Sequence, residues 1–449
     1  MQNYKKQFKG KKITVMGLGI LGRGLGYTKF LAECGADLIV TDLKNKKQLA
    51  ISLKALKKFP NIKFVLGKHR LEDFRNRDMI LKSAGVPLDS IYIAEAEKNK
   101  IPVEMDVSLF AKCAPEVMLI GVTGTRGKSM TTALIYEILS KNLKDRKVYI
   151  GGNVRGVATL PLLEKVKAHT MAGQTGDILV CELDSWQLQG FGDAKISPHI
   201  SVFTSFMPDH MNYYKNNMEK YFNDKANIFK YQKKGDVLIV RPHVKKIIKK
   251  VKGKLIVADV KSIASYKFVV PGDHQRENLA CAVKVARLFK IPEQKIKNIV
   301  KNFKGLEGRL QYLKSVKGVK IYNDNNATTP EATIAGIKAL YQDGKEGKII
   351  LISGGADKNL DLRLYVNVVN TFCKAVVLIP GTGTEKLLSF KLKVDNCKVK
   401  SLEEAVKKSL TLARKGDIIL FSPAFASFGQ FNNEYERNDL FMKIIKGLK

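Results

Sequence analysis

Acidic side chains are scarce relative to basic ones in this chain: 42 Asp and Glu stand against 78 Lys and Arg, a formal net charge of +36 over 449 residues. Such an excess suits a partner that carries phosphates. The lysines, however, are spread over every segment, and neither arginine–aromatic interleaving nor zinc-finger spacing accompanies them. A nucleic-acid partner is therefore not expected, and the charge is read as solvated lysine faces that also attract polyanionic nucleotides. Cysteine is thin as well. Cys34, Cys113, Cys181, Cys281, Cys373 and Cys397 are widely scattered, with no C-x-x-C pair, which argues against a disulfide framework and leaves small buried hydrophobes. No apolar run reaches the roughly 18 to 20 residues that cross a bilayer. The basic start MQNYKKQFKGKK lacks the uncharged core of a signal peptide, so a cytosolic protein with no membrane partner is expected. A monomer is the working expectation.

What is present is length and a repeating pattern. Hydrophobic residues make up 45% of the chain, and 449 positions exceed what one core accommodates. In residues 11–42 the apolar run Ile13 to Met16 enters Gly17, Gly19 and Gly22, and a second run, Leu38 to Val40, ends at Asp42. This is a strand–turn–helix–strand reading with the G-x-G-x-x-G spacing and an acid about twenty positions on. A dinucleotide site is the obvious inference. The same geometry serves any ligand that lays phosphates on a helix N-terminus.

A second strand–turn–helix begins after the break at Cys113 to Pro115, and the apolar runs Asp177 to Cys181 and Ile200 to Phe206 end in polar clusters. That arrangement suits parallel strands with ligand groups at their carboxyl ends. The pattern restarts near residue 306, where the runs Lys348 to Ser353, Ala375 to Pro380 and Asp417 to Ser422 alternate with helical stretches. The expectation is an α/β fold in three domains. A Rossmann-like domain spans 1–110, a central parallel-sheet domain of the P-loop ATPase type 111–305, and a second Rossmann-like domain 306–449.

The strongest chemical signal is Gly124-Thr125-Arg126-Gly127-Lys128-Ser129-Met130, between an apolar strand and a helix with Ala133, Leu134 and Ile138 at helical spacing. Backbone N–H groups of such a loop cradle phosphates, the lysine reaches the terminal oxygens, and the serine hydroxyl suits Mg²⁺. Strict Walker A spacing would place a glycine at Val122, so the loop is a variant. Glu182 follows four apolar residues and surfaces where a buried strand ends, a fitting place for a hard oxygen ligand. His210 follows the next apolar run. Lys225 falls inside the helical stripe Met218, Tyr221, Phe222, Ile228, Phe229, where a free ammonium is costly unless it is paired or its stem reaches water.

The string Thr123 to Thr132 resembles the ATP loop of the Mur ligase family, and the resemblance extends over nearly the whole chain. Gly151-Gly152-Asn153 matches the family's substrate loop, and Cys181-Glu182-Leu183 its magnesium-binding strand end. Asp209-His210-Met211 and Lys225 to Phe229 match a second metal site. Gly272 to Asn278, Gly308-Arg309, Asn323-Asp324 and Ser422-Pro423-Ala424 come next in order, and the compact first domain and the tail Ser427 to Phe431 point to the glutamate-adding branch.

The resemblance implies ATP and two Mg²⁺ as cofactors, with Ser129, Glu182, His210 and a carbamylated Lys225 as the metal ligands. Catalysis would rest on Lys128, Glu182, His210 and Lys225. ATP would lie against Gly124, Thr125, Gly127, Lys128, Ser129 and Met130, with Asn278 at the adenine, Arg309 at the phosphates and Asp324 at the ribose. UDP-N-acetylmuramoyl-L-alanine would be held by Gly17, Leu18, Gly19, Ile20, Leu21, Gly22, Asp42, Ser83, Gly85 and Asn153. Thr328, Lys358, Ser427 and Phe428 match the amino-acid pocket. The first glycine fingerprint is thereby read as a UDP-sugar site rather than an NAD site. The amino acid is expected to be D-glutamate, with L-glutamate as the alternative, because Asn325-Asn326 stands where the D-glutamate branch usually has Ser-Lys. Lys358 and Arg437 are expected to supply the lost cation. The reading from another class is a nucleotide-binding ATPase subunit without ligase activity.

Overall fold

The computed structural model describes residues 4–166, 176–211, 213–341 and 349–448. Three sheets run along the chain. The first is made of β1 (Lys12–Met16), β2 (Asp37–Asp42), β3 (Ile62–Leu66), β4 (Met79–Lys82) and β5 (Val103–Glu104), in the order β3-β2-β1-β4-β5. The second contains β6 (Met118–Thr123), β7 (Val148–Gly152), β8 (Ile178–Glu182), β9 (Ile200–Phe203), β10 (Val237–Val240) and β11 (Lys254–Val257), ordered β11-β10-β9-β6-β8-β7. Every pairing in these two sheets is parallel. Their central strands are apolar and buried on both faces, as crossover helices on both sides of a parallel sheet require.

The third sheet contains β12 (Gln311–Val316), β13 (Val319–Asn323), β14 (Ile349–Gly354), β15 (Cys373–Ile379), β16 (Asp395–Lys398) and β17 (Ile418–Phe421), in the order β12-β13-β17-β14-β15-β16. Lys348, the first residue of one expected run, lies outside the described residues. Alternation along β14 sends Ile350 and Ile352 into one core with Val377, Ile419 and Phe441, and Leu351 into the opposite one with Tyr365, Val376 and Leu420. The edge pair β12–β13 is antiparallel. Its turn places Lys317 and Gly318 at φ 49° and 79°, the mirror-type hairpin whose twist matches the strands. The apolar pattern gives no sign of this hairpin, because Gln311, Lys314 and Ser315 interrupt it on an edge that is half solvated.

By its contacts the chain divides into two compact units, Met1–Ala264 with Glu277–Ile296, and Ser265–Arg276 with Lys297–Lys449. The first unit holds two sheets on one continuous core, in which Val15, Leu31 and Leu38 join Leu119, Leu179 and Phe203. The expected junction at 110/111 falls inside the helix Asp106–Cys113, and that at 305/306 falls between the helix Glu293–Asn302 and β12. All six cysteines are free thiols, four of them buried. Among the described residues no helix is long and apolar enough to cross a membrane.

Candidate active site

In the first sheet the strand order reverses at β1 and β4, and the glycine turn comes directly after β1. A crevice at such a switch point is where open parallel sheets bind ligands. Ser83 closes the crevice from the β4 side: its N–H donates to Met16 O at 2.9 Å, and its hydroxyl lies so near Gly17 that a Cβ there would meet Oγ at 2.5 Å. Asp42 is 4% exposed and accepts from Gly19 N–H and Lys44 N–H, each at 2.8 Å. It shapes the turn from beneath. Leu18 is buried and Ile20 exposed, so Leu18 can meet a ligand only through its backbone. Gly85 lies just beyond Ser83 and is exposed. The Leu21 carbonyl accepts from Gly156 N–H at 3.2 Å, which joins this turn to the loop beyond Asn153.

The second glycine turn leaves β6 and enters the helix Lys128–Asn142 through Gly127, at φ 89°. Residues after β9 fasten it. Thr125 N–H donates to Ser205 O at 2.8 Å, Arg126 N–H to Ser205 Oγ at 2.8 Å, and Thr204 Oγ1 to Arg126 O at 2.6 Å. Thr125 Oγ1 lies 3.2 Å from Tyr221 Oη, and Met130 is buried. Ser129 occupies the first turn of that helix. Asn278 packs so close to Gly127 that a Cβ at this glycine would overlap its Oδ1. Arg241, 5% exposed, donates from Nη2 to Asn278 Oδ1 and from Nη1 to Glu277 Oε2 at 2.7 Å. Arg241 was missed in the sequence, although it succeeds the apolar run of β10 as Glu182 ends that of β8. Asp106 was missed with no signal to find it: its buried carboxylate accepts from Thr159 N–H and Leu160 N–H at 2.8 and 2.7 Å and pins the loop beyond Asn153.

Two lysines converge on one oxygen. Lys128 Nζ donates to Gly124 O at 2.8 Å, and Lys225 Nζ donates to the same carbonyl at 3.0 Å. Lys225 is 1% exposed on the helix Met218–Lys230, and its amine also lies over the Tyr221 ring. Burial, and then the Lys128 charge, hold its pKa well below the ordinary lysine value. Both causes favour the uncharged amine relative to a lysine in water. Glu182 is 5% exposed at the end of β8, and its carbonyl holds Asn153 N–H at 2.8 Å. His210, at φ 54°, packs 4.7 Å from the Trp186 ring; burial lowers its pKa, so the imidazole is favoured as the neutral ligand form. Among the described residues no three His, Cys, Asp or Glu side chains gather into a ready cage for a metal. With Ser129, Glu182, His210 and an amine, the expected ligand set is short of anionic oxygen as it stands.

The second unit brings Arg309, Asn326, Thr328, Lys358, Ser427 and Phe428 around one pocket of about 240 Å³. Lys358 Nζ donates to Thr328 Oγ1 at 3.1 Å. Asp324 is buried beneath, accepting from Leu310 N–H at 3.0 Å and Ser422 Oγ at 2.8 Å, and burial pushes its pKa up to about 7. One expectation is corrected here. Arg437 does not share the pocket with Lys358: it is fully buried, where its guanidinium donates to Asn325 Oδ1 at 2.8 Å and Asn325 O at 3.1 Å. Amphipathic spacing on the helix Glu434–Lys446 turns that face inward.

A phosphate loop on a parallel sheet, an acid at the neighbouring strand end and a pocket lined by Arg309 and Lys358 in a further α/β unit describe an ATP-dependent ligase of the three-domain kind. The comparisons specify it: residues 11–104 match the Mur ligase MurD-like N-terminal domain, 122–297 the Mur ligase middle domain and 308–425 the Mur ligase glutamate ligase domain. The chain belongs to the Mur ligase family, whose members are ATP-dependent amide-forming ligases. It is 34% identical to the UDP-N-acetylmuramoylalanine–D-glutamate ligase of Borreliella burgdorferi strain ZS7, covering 98% of this chain and 99% of that protein. The protein of the same name from Roseiflexus sp. strain RS-1 is also 34% identical over the same shares. Among solved structures, the UDP-N-acetylmuramate–alanine ligase of Thermotoga maritima superposes with a TM-score of 0.60 at 17% identity, covering 98% of this chain and all of that one. The MurF ligase of Thermotoga maritima in complex with ADP gives 0.59 at 16% identity, covering 98% and 96%. These likenesses show the fold.

Proposed function

We propose that the enzyme adds D-glutamate to UDP-N-acetylmuramoyl-L-alanine, coupled to ATP hydrolysis, as a step of peptidoglycan precursor synthesis. The observation that carries this reading is the meeting of Lys128 and Lys225 on Gly124 O, set beside full-length likeness to ligases of that name. The alanine carboxylate attacks the γ-phosphorus of ATP, the bond to the β,γ-bridging oxygen breaks, and ADP leaves behind an acyl phosphate. The glutamate amine attacks its carbonyl carbon, and phosphate leaves from the tetrahedral intermediate. Lys128, released from Gly124 O toward the transferred group, offsets charge that grows there.

Lys225 would act after conversion. Its neutral amine adds CO₂, loses a proton and becomes a carbamate, which supplies the anionic oxygen the site is short of. Ser129, Glu182, His210 and this carbamate would hold Mg²⁺, which supplies charge neutralisation at the phosphates when bound. Asn278, Arg309 and Asp324 are assigned to the nucleotide, and the turn Gly17 to Gly22 with Asp42, Ser83 and Gly85 to the uridine diphosphate. Thr328, Lys358, Ser427 and Phe428 take glutamate.

L-glutamate is the second reading, motivated by the neutral pair Asn325-Asn326 at the pocket. Phosphate release measured side by side with D- and L-glutamate decides: a tenfold preference for L overturns the D assignment. Release with neither sinks the glutamate assignment.

A further inference from the structure

Behind Asn326, which lines the proposed amino-acid pocket, lies an unusual buried cation. Arg437 is 0% exposed, and the hydrogen bonds of its guanidinium go to neutral acceptors: Nε to Asn325 Oδ1 at 2.8 Å, Nη2 to Asn325 O at 3.1 Å, Nη1 to Phe425 O at 3.4 Å. Burial lowers its pKa to about 10, so it remains a cation at neutral pH. A buried guanidinium facing carbonyls rather than a carboxylate is costly to keep. It also has a strict property: it donates and never accepts.

That property travels. Because Arg437 Nε donates to Asn325, the Asn325 side chain must present Oδ1 inward and Nδ2 outward. Asn325 Nδ2 then donates to Asn326 Oδ1 at 3.1 Å and to Glu434 O at 2.9 Å. The Asn326 amide must in turn point Nδ2 away from Asn325. Asn326 lines the pocket beside Thr328, Lys358 and Ser427, and its amide packs on Gly308, where an added Cβ would meet its atoms at 3.1 to 3.2 Å. The orientation of an amide is otherwise ambiguous; here a residue without acceptors sets it. A second amide chain fixes the backbone at the same point: Asn325 N–H donates to Asn323 Oδ1 at 3.1 Å, Asn323 Nδ2 to Asn438 Oδ1 at 2.9 Å, and Asn438 Nδ2 to Glu307 Oε1.

We infer that Arg437, Asn325 and Asn326 form a polarity relay that presents the Asn326 Nδ2 donor to a carboxylate of the incoming amino acid. Arg437 and Asn325 are positioning residues, and Asn326 is the contact. The inference rests on the ligase reading above and adds to it the group that recognises an acid in place of a second cation.

The test is steady-state kinetics with whichever dicarboxylic amino acid the wild-type enzyme accepts. A hydrogen bond to a charged group contributes about 1.5–3 kcal/mol, about 10- to 100-fold in affinity. Asn326→Ala should raise the amino-acid KM at least tenfold with kcat and the ATP KM within about twofold, and Asn326→Asp should raise it further, since an acceptor then faces the acid. Arg437→Gln, which can both donate and accept, should raise the amino-acid KM several-fold, and Arg437→Lys, which only donates, should recover part of that loss. A merely structural arginine would instead lower Tm and disturb every substrate alike. An active wild type whose Asn326→Ala variant keeps its amino-acid KM overturns the relay alone. A wild type that ligates no amino acid overturns the functional reading and the relay with it. If the Arg437 variants do not fold, the two Asn326 variants decide.

Discussion

The turn after β1 and the turn after β6 share one backbone plan: each leaves a buried parallel strand and delivers the chain into a helix through a glycine in the left-handed region, Gly22 at φ 87° and Gly127 at φ 89°. They differ in what holds them. One carboxylate, Asp42, organises the first by taking two backbone N–H groups, whereas the second is fastened by Thr204 and Ser205 and carries two lysines folded onto its own carbonyl. The glycine spacing therefore encodes a concave backbone, and the chemistry resides in the two residues that open the helix. There the first turn has Arg23-Gly24 and the second Lys128-Ser129. On the proposed function, the first turn would hold a phosphate group still, and the second would meet a phosphate that leaves.

Breaking the difference at Lys128 should have the largest effect. On the proposed mechanism Lys128→Ala removes the charge that would offset the transferred group, and ligation should fall on the order of 10²-fold or more, with the fold intact by circular dichroism. A variant within twofold of wild type would take the loop out of the mechanism. Lys225→Ala should also be inactive, because on the proposed mechanism its carbamate would supply the missing anionic oxygen. Short-chain carboxylic acids added to the assay should restore part of the activity, and a failure of every acid tried would argue against the carbamate.

At the first turn the expected losses are smaller and of another kind. Asp42→Ala frees Gly19 N–H and Lys44 N–H, so the KM for the UDP-substrate should rise about tenfold, the order expected for losing one well-made charged hydrogen bond, while kcat stays within about twofold. A fall in kcat with unchanged KM would assign Asp42 to catalysis instead. The glycines themselves sharpen the comparison. Alanine in a left-handed conformation costs about 1–2 kcal/mol, and at Gly22 the nearest atom to an added Cβ is Gly156 Cα at 3.4 Å, so Gly22→Ala should lower Tm by only a few degrees. Gly127→Ala adds an overlap with Asn278 Oδ1 and should lower Tm more while also weakening ATP binding. Equal shifts in the two variants would mean that Asn278 moves aside freely.

The parts legible in the sequence were those written in local pattern. The two glycine turns and the end of β8, where Glu182 stands, announce themselves by an apolar run that stops abruptly, and His210 lies in the loop that follows β9. The location of Lys225 in an apolar stripe was readable, but its partner Gly124 O lies 101 positions away, a pairing no local pattern records. Arg437 shows the opposite error: charge alone suggested a pocket, and the helix turned it inward. The β12–β13 hairpin escaped because an edge strand needs no continuous apolar run, and Asp106 because a helix-start acid looks the same whether it faces water or pins a loop.

The scattered thiols have a practical consequence. Alkylating and oxidising reagents act on thiolates, and burial raises the pKa of all six cysteines, to about 11 at Cys34, Cys113 and Cys281 and to about 12 at Cys373, and upward as well at Cys181 and Cys397. Slow labelling of the native chain by maleimide at neutral pH is the expected outcome, with any reaction falling first on the half-buried Cys113 and Cys397. A cysteine introduced at Ile51, 86% exposed, would take a fluorophore or spin label almost alone, so that distances within the working enzyme can be measured without first stripping it of its own sulfur.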